Sequence, residues 1–221
     1  MIKIRNPRDR VYLLIGSALV VGTVLIVFRL LRHSDIQQDA INALQAVIHN
    51  EPAAYFDYCN EFDIQRSGLT RDQYIALWNK LVWPRFSKFK PVGTLGQEKY
   101  GNHQAVAWVK LRDAAGREYE YSEAPFAIED GSGRVQSLYH PLMQAWILEY
   151  VVEKGKPVSP SNVIEAYITG CTIDRAELIA LGAEKFSFGL EQGPAYSWDE
   201  IIARWRKRLA DLTKPRLSNS R

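Results

Sequence analysis

The chain has 221 residues, 47% of them hydrophobic, and its 28 Lys and Arg against 25 Asp and Glu leave a net charge of +3. That figure hides a segregation: residues 1–33 carry six cations and one Asp, residues 201–221 carry seven cations and Asp211 alone, and the stretch between is acidic by eight charges. An acidic body repels phosphate backbones, which excludes nucleic acid as its partner. Two cysteines and four scattered histidines offer no closely spaced ligand pairs for a structural zinc.

Residues 11–28 run eighteen positions without a charge, behind a basic stretch holding Lys3, Arg5, Arg8 and Arg10. As a helix at ~1.5 Å per residue, 11–31 reaches roughly 31 Å and matches the ~30 Å hydrocarbon core of a bilayer. The expectation is a single-pass transmembrane helix over 11–31. A cleaved signal sequence has a shorter apolar centre and a small-residue exit, whereas this segment runs into Arg29-Leu30-Leu31-Arg32-His33. Four cations before the segment against Arg29 and Arg32 after it place residues 1–10 in the cytoplasm and the body outside, in a periplasm. The lipid bilayer is therefore the first expected partner. Ala18 and Gly22 form a small-xxx-small pair suited to self-association of two anchors.

Helix starts follow. Ser34-Asp35-Ile36-Gln37 has the capping-box pattern, ahead of Ile41, Leu44, Val47 and Ile48 at helical spacing. Pro52 opens a second helix through Tyr55, Phe56, Tyr58 and Cys59. A polar loop containing Gly68 comes next. Thr70-Arg71-Asp72-Gln73 is another capping box, and its helix runs through Tyr74, Leu77, Trp78 and Leu81 to stop before Pro84.

The period then changes from 3.6 to 2. Residues 91–100 and 103–112 read as strands around a turn at Gly101-Asn102, with Ala105, Ala107, Val109 and Leu111 on one face of the second. Asp113–Gly116 turns again, 117–130 is a third strand bent near Pro125, and 134–139 is a fourth. Short turns between consecutive strands make an antiparallel meander, so helices followed by a meander predict an α+β fold, the helices covering one face of a curved sheet.

Within this order, Gly116-Arg117-Glu118-Tyr119-Glu120-Tyr121 and the turn Glu129–Val135 resemble the nuclear-transport-factor-two-like superfamily, whose domain is a cone-shaped α+β fold. The resemblance covers roughly residues 35–140 and implies a domain spanning 34–157, with a cavity between helices and sheet. It also implies a choice between two uses, since some members are enzymes and bacterial ones include anchored scaffold subunits of type IV secretion machines. The chain departs from that pattern in continuing beyond the last strand: 141–153 is helical.

Residues 158–212 are expected to add a helical extension. Ser159-Pro160 caps one helix, Thr172 a second, and Ser197-Trp198-Asp199-Glu200 a third carrying Ile201, Trp205, Leu209 and Leu212. The turn Gly170-Cys171-Thr172 has helix-turn-helix spacing, but acids stand where recognition cations are required. Residues 213–221 are expected to form a disordered basic tail.

In the cavity that the resemblance implies, the acid–base candidates are Asp57 and His140, and Tyr55, Tyr58, His103 and Tyr139 are pocket candidates, the helical ones on the second helix and His103, Tyr139 and His140 on strands. Cys59 and Cys171 either pair across a long loop or stay as two buried thiols. Arg204, Lys207 and Arg208 are placed to touch anionic lipid. No phosphate loop, nucleophile elbow, metal-ligand set or cofactor motif is present in the sequence. The expected function is assembly or ligand capture by a membrane-anchored domain, through a protein partner or self-association. The alternative is a small-molecule isomerase or dehydratase using one of the acid–base candidates.

Overall fold

The computed structural model describes residues 36–101, 104–127, 133–134, 137–187 and 195–214. The expected transmembrane helix, Ser34, His103 and the tail beyond Lys214 lie outside them. Among the described residues, no helix is long and apolar enough to cross a membrane.

The fold is α+β. Helix α1 (Ile36–Ile48) buries Ile36, Ala40, Ala43, Leu44 and Val47 along one stripe. That stripe packs on strand β2 (Gln104–Asp113), whose inward residues Ala105, Ala107, Val109 and Leu111 are all buried. Alanines on both surfaces let helix and sheet approach closely. Helix α2 (Pro52–Asp57) opens on its proline as expected.

The expected loop around Gly68 is instead a helix, α3 (Glu61–Ser67). The Asn60 side chain accepts from the Phe62 N–H at 2.9 Å and Gly68 closes the last turn at φ +71°, so cap chemistry at both ends outweighs the polar composition. Helix α4 (Arg71–Leu77) has the reciprocal Thr70–Gln73 capping box. It does not stop before Pro84. A π-turn, Trp78–Val82, carries it into α5 (Trp83–Phe86). A proline clashes with the carbonyl four residues back in an α-helix; the wider turn, closed by Trp83 N–H to Trp78 O, lets the chain run through.

Strand β1 (Phe89–Tyr100) pairs antiparallel with β2, and β2 with β3 (Glu118–Glu123). The register slips between Val92 and Gly96, where Gly93 sits at φ +79° and the Trp108 indole lies over the Gly96 backbone. The third strand breaks at Pro125 and resumes as β4 (Phe126–Ala127). Glu123 opposite Ala107 and Phe126 opposite Gln104 preserve one register through the bend. At the start of the expected fourth strand, β5 (Gly133–Arg134) pairs with β4. Tyr139 and His140 are not on a strand: Tyr139 caps helix α6 (His140–Ile147), whose first turn holds Pro141. Buried Asp63 accepts from the Leu138 N–H, which ties the segment before that helix to α3.

A second π-turn, Leu148–Val152, prolongs α6. The two short helices expected around Gly170 are one, α7 (Pro160–Ala180). Gly170 is buried against the Trp146 indole, and the Thr172 hydroxyl bonds back to Ile168 O at 2.6 Å, so neither residue ends the helix. The loop before Tyr196 contains half of a two-stranded ribbon, β6 (Lys185–Phe186) with β7 (Tyr196–Ser197). Helix α8 (Trp198–Thr213) follows its Ser197–Glu200 capping box and extends through Thr213.

Helices α7 and α8 form an antiparallel pair: Arg175 bridges Asp199 near one end, and Tyr167 packs on Trp205 at 5.3 Å further along. The pair rests on α6 and its π-turn, and α8 also packs on the β6–β7 ribbon. Asp174 of α7 accepts from Trp146 Nε1 at 2.7 Å and from Arg85 at 3.0 Å, while Arg85 also pairs with Glu149. A buried ionic node thus joins α5, the second π-turn and α7.

Candidate functional site

Among the described residues, two places have the makings of a site. The first lies between helices and sheet and centres on Glu123, which the sequence analysis did not single out. Along β3, Glu118 and Glu120 face solvent, whereas Tyr121 and Glu123 are buried. The Tyr55 hydroxyl donates to Glu123 Oε2 at 3.2 Å and the Tyr121 hydroxyl donates to Oε1. Burial pushes the Glu123 carboxyl above the usual carboxylate range, against the opposing pull of nearby His140 and the two phenols. Burial also raises both phenols well above their ordinary value, and the Glu123 charge adds to this. His140, half-buried, sets Nε2 at 3.0 Å from Ser122 O, with its ring 5.9 Å from that of Tyr121.

Chemically this is an acid with two phenols and an imidazole close by, an arrangement found in proton-transfer sites. Its polar atoms are, however, spent on one another. Tyr74 donates to Leu138 O at 3.2 Å and Tyr139 to Lys185 O at 2.8 Å, so those phenols are also engaged. The recess beside Tyr121, lined by Val47, Ile48, Phe86, Phe89 and Leu111, holds about 20 Å³, room for roughly one water.

The expected candidates are dispersed. Tyr55 and His140 meet at Glu123. Asp57 does not face the interior: it is exposed and paired with Arg71 at 2.8 Å, because it lies two positions past the buried Tyr55 on a short helix. Tyr58 is half-buried against the core. Tyr139 stacks on Phe186 at 5.2 Å and meets the Trp198 edge, in the aromatic core beside the ribbon. Cys59 and Cys171 are separate free thiols, both buried. Among the described residues, no group of three or more His, Cys, Asp or Glu is set to hold a metal.

Glu123 was legible in principle. Period-2 counting puts it on the same face as Tyr119 and Tyr121, and a carboxylate among inward aromatics is the signal.

The second place is a groove of about 470 Å³ between the start of α7 and the middle of α8, lined by Val158, Val163, Ile164, Tyr167, Trp205 and Arg208. Of the residues expected to touch lipid, Arg208 lines this groove, Lys207 is exposed beside it, and Arg204 lies 4.0 Å over the Tyr196 ring. The sequence marks these cations as one helix face, whereas the groove exists only because α7 is continuous and antiparallel to α8.

Comparison of the chain with protein-family models, curated proteins and solved structures gives no match.

Proposed function

We propose that the protein is a single-pass membrane-anchored component, with residues 11–31 in the bilayer and the α+β body outside the cytoplasm. The body, a domain of the cone-shaped type, serves as an assembly scaffold or ligand-binding module and not as an enzyme. The observation that carries this reading is the saturation of Glu123. Among the described residues, the buried cluster with acid–base chemistry spends its hydroxyl donors internally, and the recess beside Tyr121 has room for roughly one water. A catalytic cavity needs unspent groups facing room for a substrate. An apolar segment of bilayer length behind four cations supports the anchored topology.

Affinity capture of the full-length protein from detergent-solubilised membranes tests the function. A stoichiometric polypeptide companion or a self-associated complex is expected. Recovery of a lone monomer holding a tightly bound metabolite would overturn the scaffold reading. Topology is tested separately: protease added to spheroplasts should degrade the body, and degradation only after lysis would reverse the orientation.

A further inference from the structure

The α7–α8 groove combines apolar walls with an unanswered positive charge. Val158, Val163 and Tyr167 come from the start of α7 and the residue preceding its cap, and Trp205 closes the other side. Val158 is 54% exposed and Leu212, one turn past Arg208, 49%. On α8, Arg204, Lys207 and Arg208 stand at i, i+3 and i+4 and so share a face. Arg208 and Lys207 have no hydrogen bond or ion pair among the described residues. The neighbouring acids are already bridged, Glu165 by Lys156 at 3.8 Å and Asp211 by Lys214 at 2.7 Å, with Lys207 adding only to the field at Asp211, so that Arg208 is the cation facing the groove without an acid.

We propose that this groove receives one acyl chain of an anionic phospholipid from the adjacent membrane surface, with Arg208 and Lys207 on the headgroup phosphate. The inference rests on the anchored reading, which brings the body within reach of lipid. The sign of the charge selects an anion. The shape selects a single linear chain: Val163 and Tyr167 give the groove one helical turn of wall, whereas an amphipathic partner helix needs anchors over two turns or more. Tyr167, half-buried with a polar hydroxyl, is the kind of side chain that favours the headgroup boundary, over a floor made by buried Trp205. The volume falls among those of small-molecule sites.

The test is photo-crosslinking of the full-length protein in phosphatidylcholine vesicles containing a phosphatidylglycerol with a diazirine in its acyl chain, with labelled peptides mapped by mass spectrometry. Labelling is expected within 11–31 and also within 158–167 and 205–208. Unlabelled phosphatidylglycerol should compete for the groove and unlabelled phosphatidylcholine should not. Arg208→Glu and Val158→Glu, both at exposed positions, should each lower groove labelling by about fivefold or more, the size set by one headgroup charge, and leave 11–31 labelling unchanged. Labelling confined to 11–31, or groove labelling indifferent to both substitutions, overturns the groove proposal while the anchor stands. Absence of labelling from 11–31 overturns the anchored reading itself.

Discussion

The Tyr55 hydroxyl on α2 donates to Glu123 at the end of β3 across 68 positions of sequence, and both side chains are closed to solvent. This bond pins the helical layer to the sheet where the third strand is about to bend. Tyr55→Phe removes the donor and leaves its partner buried with one hydroxyl fewer. The expected loss is about 1–3 kcal/mol, read as a lower urea midpoint with an unchanged slope. An unchanged midpoint would show that the bond contributes nothing.

Glu123 also makes stability depend on pH in an unusual direction. Burial raises its folded pKa above that of the unfolded chain, so the folded protein retains a proton that the unfolded chain releases. The resulting stabilisation is complete below the unfolded carboxyl range, about pH 4, and is lost as pH rises through the folded value. Glu123→Gln stays neutral throughout. The variant should therefore gain in stability relative to the parent as pH increases from about 4 upward. A difference that is flat across this interval in urea titrations would refute it.

Gly170 packs its backbone directly against an aromatic ring. A Cβ built there would lie 2.2 Å from Trp146 Cγ, the pivot of a rigid and buried indole. Helix propensity favours Gly170→Ala by about 1 kcal/mol, but overpacking costs roughly 1–3 kcal/mol and more when the neighbour cannot yield. Net destabilisation of about 2 kcal/mol is expected, seen as a lower melting temperature. A stabilised variant would mean that Trp146 has room to move.

The ionic node predicts an asymmetry between single and double substitutions. Arg85 and Asp174 side chains are 12% and 6% exposed. Arg85→Met strands Asp174 and Glu149 and should cost about 3–5 kcal/mol, whereas Arg85→Met with Asp174→Leu removes the more buried carboxylate and should recover part of that loss, limited by Glu149 without its cation and by the Trp146 N–H without its acceptor. Equal losses in the single and double variants would assign the stability to something other than the charge pair.

Cys59 and Cys171 should be silent to thiol reagents in the folded protein. Burial pushes the Cys171 thiol up to about 12 and raises Cys59 well above its ordinary value. At pH 8 a thiol of pKa near 12 is ionised to only roughly one part in ten thousand. Two equivalents of thiol should appear on denaturation without reductant. Fewer than two would reveal a disulfide.

The local grammar of the chain was readable wherever one short stretch decides one element. The capping pairs Thr70–Gln73 and Ser197–Glu200, Pro52, and the alternation of Ala105, Ala107, Val109 and Leu111 all mark what forms there. Reading failed where a distant neighbour decides. Gly170 looks like a break until Trp146 lies against it, Pro84 looks like a stop until a π-turn makes space, and Asp57 looks inward until Arg71 is seen to hold it outside. Glu123 sat in plain alternation and was passed over because carboxylates flank it on the opposite face. The groove was beyond reach, since it needs two helices from separate segments to meet.

Strand β1 leaves one margin of the sheet without a neighbour among the described residues, and a margin of that length is ordinarily a template on which another copy can add its own strand. The slip at Gly93–Gly96 spoils the template. Its irregular spacing denies an incoming chain a continuous row of amides, an obstacle to edge-to-edge growth that is built into the strand itself.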